Sequence, residues 1–174
     1  ATRTREPVRQ GSGAIRWRLA EPQSLGLKQT PGDWSQFNAL VFELYSERAT
    51  GSPIWVIATS ENPEQDGPDY YCVTLKLDFE GWQRIVLPFD EIRPVRHPLG
   101  WHSIGRFYLH SAWDPRIQVD PQAVVVVDDV RLVHLSDKAP RMTDEEFFEA
   151  LDLTRPGLER VAAAVAAGDL AGAK

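Results

Sequence analysis

Cysteine is nearly missing from this sequence: Cys72 stands alone among 174 residues. One thiol excludes an intrachain disulfide and any zinc site built on several cysteines. Long apolar runs are missing too, and nothing approaches the roughly 20 residues that a membrane-spanning helix needs. Positive charge is in deficit, with 19 Lys and Arg against 25 Asp and Glu and a formal net charge of −6. That balance disfavours a general binder of phosphate backbones, including nucleic acid, and leaves room for a local basic face. Several chemical motifs are absent: no G-x-S-x-G elbow, no G-x-G-x-x-G or G-x-x-x-x-G-K phosphate loop, no H-E-x-x-H. The histidines, His97, His102, His110 and His134, lack the spacing of a zinc set. No Asn-x-Ser/Thr acceptor occurs, and the opening ATRTREPVRQ lacks the charged-then-apolar layout of a signal peptide.

What is present is a chain 43% hydrophobic, too apolar for disorder, with six Trp. Its length suits one well-filled domain and a short appendage. From about residue 13 to 135 it reads as a series of strands separated by turn signals. In GAIRWRL, Ile15, Trp17 and Leu19 alternate with Arg16 and Arg18. In ALVFELYSE, Leu40, Phe42 and Leu44 share one face while Val41, Glu43 and Tyr45 share the other. PIWVIATS, YYCVTLKLDF, WQRIVL, GRFYLHS and AVVVVDDVRLV follow, rich in the β-branched and aromatic residues that pleated surfaces favour. The prolines fall in or beside the breaks, as a sheet requires. The expectation is all-β: an antiparallel β-sandwich over residues 10–136.

The pattern then changes. SDKAPRM is a polar linker, and TDEEFFEALDL opens with a capping box, Thr143 three residues before Glu146. Leu158, Val161, Ala162 and Val165 recur at helical spacing, and Gly168 supplies a stop. Asp169 then caps a helix of barely a turn, so residues 137–174 read as a linker and helices opening a further domain.

The strand Arg106–His110 carries the most chemistry. Alternation puts Arg106, Tyr108 and His110 on one face, with Phe107 and Leu109 toward the core. A guanidinium can grip a carboxylate or sulfate through a fork of hydrogen bonds, and the phenol and imidazole can serve hydroxyls. That trio suits an acidic sugar. The same residues could drive β-elimination, with Arg neutralising the uronate, His abstracting a proton and Tyr protonating the leaving oxygen. An ordinary polar outer face is the plainer alternative. Lys76 and Trp55 also point away from the core side of their strands and would join this wall if the strands share a sheet. Five arginines (84, 93, 96, 106 and 116) and three histidines cluster between Arg84 and Arg116, which predicts a cationic groove in an acidic protein. Trp101, His102 and Trp113 lie in or near loops and are candidates for a sugar platform, as is Trp55. Trp17 and Trp34 read as core plugs, and Trp82 as starting a strand against the core. Cys72, between Tyr71 and Val73, reads as a structural thiol. In VVVVDDVRL, Asp128 and Asp129 cannot both be buried unpaired; one can face water and the other be a structural calcium ligand. The acidic stretch Glu61–Asp69 is a second, weaker calcium candidate.

The order of GSGAIRWRL, DWSQFNALVFELYSE, LDFEGWQRIVLPFDEI, GWHSIGRFYL and VVVVDDVRLV resembles that of jelly-roll carbohydrate-binding modules with a galactose-binding-domain-like sandwich. The tail from Thr143 is similar to the entry of the helical toroid in heparinase II/III-like polysaccharide lyases. The resemblance implies a non-catalytic module, secreted or periplasmic, that binds a uronate-containing polysaccharide such as a glycosaminoglycan beside a lyase domain of the same chain. It assigns no catalytic role to Tyr108 or His110, since the catalytic residues of such lyases lie in later domains. It also places a calcium at the Asp-Asp-Val strand, with Asp129 favoured over Asp128. A small jelly-roll lyase and a purely structural module remain as alternatives.

Overall fold

The computed structural model describes residues 1–27, 30–112, 114 and 116–136. The linker and helices expected from 137 onward, and Trp113, lie outside the described residues. The chain divides after Leu135, and the first unit, Ala1–Leu135, is an antiparallel jelly-roll sandwich. Among the described residues its strands are β1 (Thr2–Thr4), β2 (Ala14–Arg18), β3 (Ser24–Gly26), β4 (Ala39–Ser46), β5 (Pro53–Thr59), β6 (Tyr70–Lys76), β7 (Gly81–Pro88), β8 (Arg93–Val95), β9 (Arg106–His110) and β10 (Val124–Val133). The first sheet has the order β1-β2-β10-β4-β7 and the second β3-β9-β5-β6-β8.

Strand patterning explains the layers. Leu40, Phe42 and Leu44 of β4 fill the space between the sheets with Trp17, Val125, Ile54, Val56 and Phe107. Each fully buried side chain of this size stabilises the fold by about 1.5 to 3 kcal/mol. The four valines at the start of β10 are all buried, because that strand is central and both its faces are covered. One end of the core is closed by rings: Trp101 stacks on Tyr71 at 3.9 Å and on Phe89 at 4.1 Å, with Trp34 6.0 Å beyond.

Four expectations change. The sandwich begins at Thr2 and not near residue 10, since β1 pairs with β2 in full register. Ile15 shares the core parity of Trp17 yet is 36% exposed, although it is paired on both sides, with Arg3 of β1 and Val127 of β10. Trp82 faces outward, not onto the core: β7 turns Ile85 and Leu87 inward, so Trp82 lies against Tyr45 on the outer face of the first sheet. Trp101 is a core plug, not a platform.

Candidate functional site

The outer face of the second sheet is built from residues in cross-strand register. Tyr108 of β9 stands between Gly26 of β3 and Ile57 of β5; Ile57 is followed by Cys72 of β6 and Arg93 of β8. On one side of this row run Arg106, Thr59, Tyr70 and Val95. On the other run Ser24, His110, Trp55 and Thr74. Partners opposite each other in antiparallel strands project to the same face. The opposite parity on β6 (Tyr71, Val73, Leu75) packs on the core. Arg106, Tyr108 and His110 are therefore on an outward face, where alternation puts them.

They also line one groove of about 660 Å³, bounded by Glu61, Pro68 and Tyr70 across the sheet. The groove exists partly because Gly26 contributes no side chain beside Tyr108; a Cβ there would stand 3.6 Å from the Tyr108 Cβ. Among the described residues no acid lies within ion-pairing distance of Arg106. Burial raises the Tyr108 phenol above its ordinary pKa, so it is a proton donor at neutral pH. Tyr70 is raised for the same reason. Burial lowers His110, and its Nδ1 accepts the Ala112 backbone N–H at 3.0 Å. The neutral ring then carries its proton on Nε2. At neutral pH the groove thus holds one guanidinium, one carboxylate at Glu61, and neutral donors.

The wall carrying Glu61 is fixed by Asp69, which is fully buried. Its carboxylate accepts the N–H of His97 at 2.9 Å and of Asn62 at 3.2 Å, and Arg96 Nε lies 3.7 Å away. The Asp69 N–H in turn donates to Glu61 at 3.2 Å. The His97 hydrogen bond, above all, holds the Asp69 carboxyl below its ordinary value. Gly67, at φ +91°, lets the Arg96 guanidinium lie against it; a Cβ would come within 2.5 Å. Sequence inspection placed Asp69 at the end of an acidic stretch weighed for calcium and missed its role as an anchor. Its only signal was an acid next to the first residue of a strand.

The other candidates scatter. Trp55 shares the face but is 8% exposed on the middle strand, so it is floor and not edge. Lys76 is exposed on the same face, opposite Pro53, beyond the groove. His102 is exposed near Asp33 and outside the groove. The expected cationic cluster disperses. Arg84 pairs with the buried Glu43 on the first sheet at 2.6 Å, and Arg116 pairs with Asp114 at 2.7 Å. With Arg96 held by Asp69, only Arg93 and Arg106 of the five face the second sheet's outer surface unpaired among the described residues.

The residues at Asp128 and Asp129 do not fit calcium. Asp128 Oδ2 accepts the N–H of Arg9 at 2.8 Å and of Gln10 at 2.9 Å, and Oδ1 accepts the Asp129 N–H at 2.8 Å. Asp129, at φ +50°, pairs with Arg131 at 2.8 Å. A carboxylate that gathers N–H donors is arranged opposite to one that shares a cation with other oxygens. Among the described residues no three His, Cys, Asp or Glu side chains gather into a metal-sized cluster, in the Glu61–Asp69 loop or elsewhere. No helix among them is long and apolar enough to cross a membrane.

No protein-family model matches the chain. No curated protein matches it. Solved structures do resemble it. One is the family 11 carbohydrate-binding module from Clostridium thermocellum in complex with a beta-1,3-1,4-mixed-linked tetrasaccharide, at 18% identity and TM-score 0.44, over 64% of this chain and 66% of that one. The match thus spans just under two thirds of that neighbour. A second is the family 11 module of the cellulosomal cellulase Lic26A-Cel5E of Clostridium thermocellum, at 16% identity and TM-score 0.45, over 67% and 68%. A third is the solution structure of CtCBM11, at 14% identity and TM-score 0.47, over 79% of this chain and 96% of that one. The sandwich fold stands on the strand pairing itself.

Proposed function

We propose that this protein binds a uronate-containing polysaccharide without chemical change, in the groove on the outer face of its second sheet. The observation that carries the reading is the placement of Arg106, Tyr108 and His110 in one groove with the guanidinium unpaired. Arg106 takes a carboxylate or sulfate in a forked pair. Tyr108 and Tyr70 donate to ring or hydroxyl oxygens, and their faces cover the apolar side of a sugar. A single exposed ion pair contributes about 1 kcal/mol or less, so most of the affinity comes from hydrogen bonds and ring contact. The resemblance of the tail to lyase toroids supports a role as the non-catalytic appendage of a polysaccharide lyase working outside the cytoplasm.

Glu61 favours a second reading, in which the chain bound is neutral, because it offsets the charge of Arg106 inside the same groove. Gel retardation by hyaluronan, chondroitin sulfate, heparin and alginate, with mixed-linked β-glucan as the neutral comparison, separates the two. Retardation by an acidic polymer, weakened at least fivefold in Arg106→Ala, supports the acidic reading. Equal retardation by the neutral glucan that ignores Arg106→Ala replaces it with the neutral one. No retardation by any polymer leaves a structural module. A rise in unsaturated-uronate absorbance during incubation overturns the non-catalytic reading.

A further inference from the structure

The sandwich is open at one corner. β2 pairs with β10 only from Val124 to Val127, and the register of β10 on β4 shifts between Asp128 and Arg131. Beyond that shift, among the described residues, β10 keeps β4 as its neighbour and has no strand on its other side. In the facing sheet β3 is the edge strand, and it ends at Gly26. The two layers thus have inner faces here but no strand that closes the gap between them. A pocket of about 380 Å³ opens at this corner. Val130 and Leu132 line it from the first sheet, Phe107 from the second, and Leu27, Trp34 and Phe37 from the connecting segments. It shares no lining residue with the groove that holds Arg106.

The ring wall is already in place. Trp34 is 2% exposed, its Nε1–H donates to the Pro31 carbonyl at 2.7 Å, and its ring packs 5.9 Å from that of Phe107 and 6.0 Å from those of Phe89 and Trp101. Arg131 also borders the pocket, but its guanidinium is paired with Asp129 at 2.8 Å, so its charge is already met. Thr30 differs. Its Oγ1 is buried where Thr30 lines the pocket and, among the described residues, has no hydrogen-bond partner. Buried hydroxyls ordinarily have one. Water alone is a poor answer, because a stable buried water needs two or more polar partners and these walls are mostly hydrocarbon.

We propose that this corner binds a neutral two-ring aromatic molecule with one hydroxyl, its rings held between the two sheets and its hydroxyl on Thr30 Oγ1. Size follows from volume: an apolar cavity of about 150 Å³ houses a single benzene ring, so this pocket houses two fused rings. Ring character follows from Trp34, Phe37 and Phe107, whose faces and edges favour an aromatic partner. Neutrality follows from the pairing of Arg131 with Asp129. The site is independent of the carbohydrate reading and stands or falls without it.

The test uses the intact protein with 2-naphthol and with naphthalene, which lacks the hydroxyl. Titration calorimetry gives affinity, and methyl NMR gives location. The expected result is saturable binding of one 2-naphthol per chain, at least fivefold tighter than naphthalene, with shifts at Leu27, Val130 and Leu132. Thr30→Val keeps the shape of the side chain. It should retain the parent's circular dichroism, weaken 2-naphthol at least fivefold and leave naphthalene unchanged. Leu27→Trp fills the mouth from a position that is 45% exposed and should abolish binding of both. Arg106→Ala should alter neither. If 2-naphthol fails to saturate, or its shifts fall on the outer face of the second sheet, the pocket is not a binding site. If both compounds bind equally and Thr30→Val changes nothing, the hydroxyl is not read and the proposed ligand class is wrong.

Discussion

Asp69 shows how one residue can govern a site it does not line. Its buried carboxylate collects the N–H groups of His97 and Asn62, and this ties the loop carrying Glu61 to the turn after β8. Its folded pKa lies below the ordinary 3.8. The stabilisation it provides is therefore complete above that ordinary value and is lost as pH falls through the lower, folded value. Thermal melts from neutral to strongly acidic pH should show Asp69→Asn with a reduced Tm at pH 7 and a shallower loss on acidification than the parent; superimposable curves would contradict this role. His110 has the opposite sense. Burial lowers its pKa, so it stays neutral at every pH above its ordinary 6.5. Affinity for an acidic polysaccharide should accordingly be flat between about pH 6.5 and 8. A rise in affinity on lowering the pH through that range would mean that His110 binds as a cation. Gly26 acts by what it lacks. Gly26→Thr suits a strand, and its Cβ meets only ordinary contacts. It should fold normally by circular dichroism and lose glycan retardation, because the new side chain fills the groove beside Tyr108.

At the scale of the element, β10 and the ring stack correct two readings of sequence motifs. The Asp-Asp pair breaks the ladder between β10 and β4, whose register shifts between Asp128 and Arg131. Asp128 uses the position to fasten the segment around Arg9 and Gln10. Asp128→Ala leaves these N–H groups without an acceptor and should cost about 2 to 3 kcal/mol in urea unfolding. Neither added calcium nor a chelator should move the Tm of the parent; an upward shift with calcium would restore the metal reading. Trp101 looked like a platform because it sits in a Gly- and His-bearing loop. Its ring instead closes the end of the core against Tyr71 and Phe89. Trp101→Ala should therefore destabilise the fold by about 3 kcal/mol. A variant that keeps the parent's stability but loses glycan affinity would return Trp101 to the site.

At the scale of the whole molecule, acids among the described residues pair with Arg9, Arg16, Arg48, Arg84, Arg96, Arg116 and Arg131. Glu43 faces both Arg9 and Arg84, and Glu47, Asp69, Asp114, Asp120 and Asp129 each hold one. The face that remains is nearly balanced in sign, within a protein of net charge −6. Binding to an acidic polymer should then fall by no more than about tenfold between about 0.05 and 0.5 M salt, since one or two guanidinium contacts are screened. A steeper fall would point to a larger basic surface than Arg93 and Arg106 provide.

The linear sequence by itself settled the layers. Alternation in β4, β5, β6 and β9 decides which side chains face the core, because successive residues of a strand point in opposite directions whatever the strand pairs with. That is why Arg106, Tyr108 and His110 could be put on one face, with Lys76 and Trp55 on the same side of their own strands. Strand order, register and the course of the loops were decided only in the tertiary structure, since they depend on contacts between residues far apart in the chain. Five arginines close in sequence became partners of different acids on different surfaces. Asp128 found its donors at Arg9 and Gln10, across the whole length of the sandwich sequence. Arg93 came to stand in line with Tyr108 because three strands from separate parts of the chain lie side by side between Gly26 and the β8 edge.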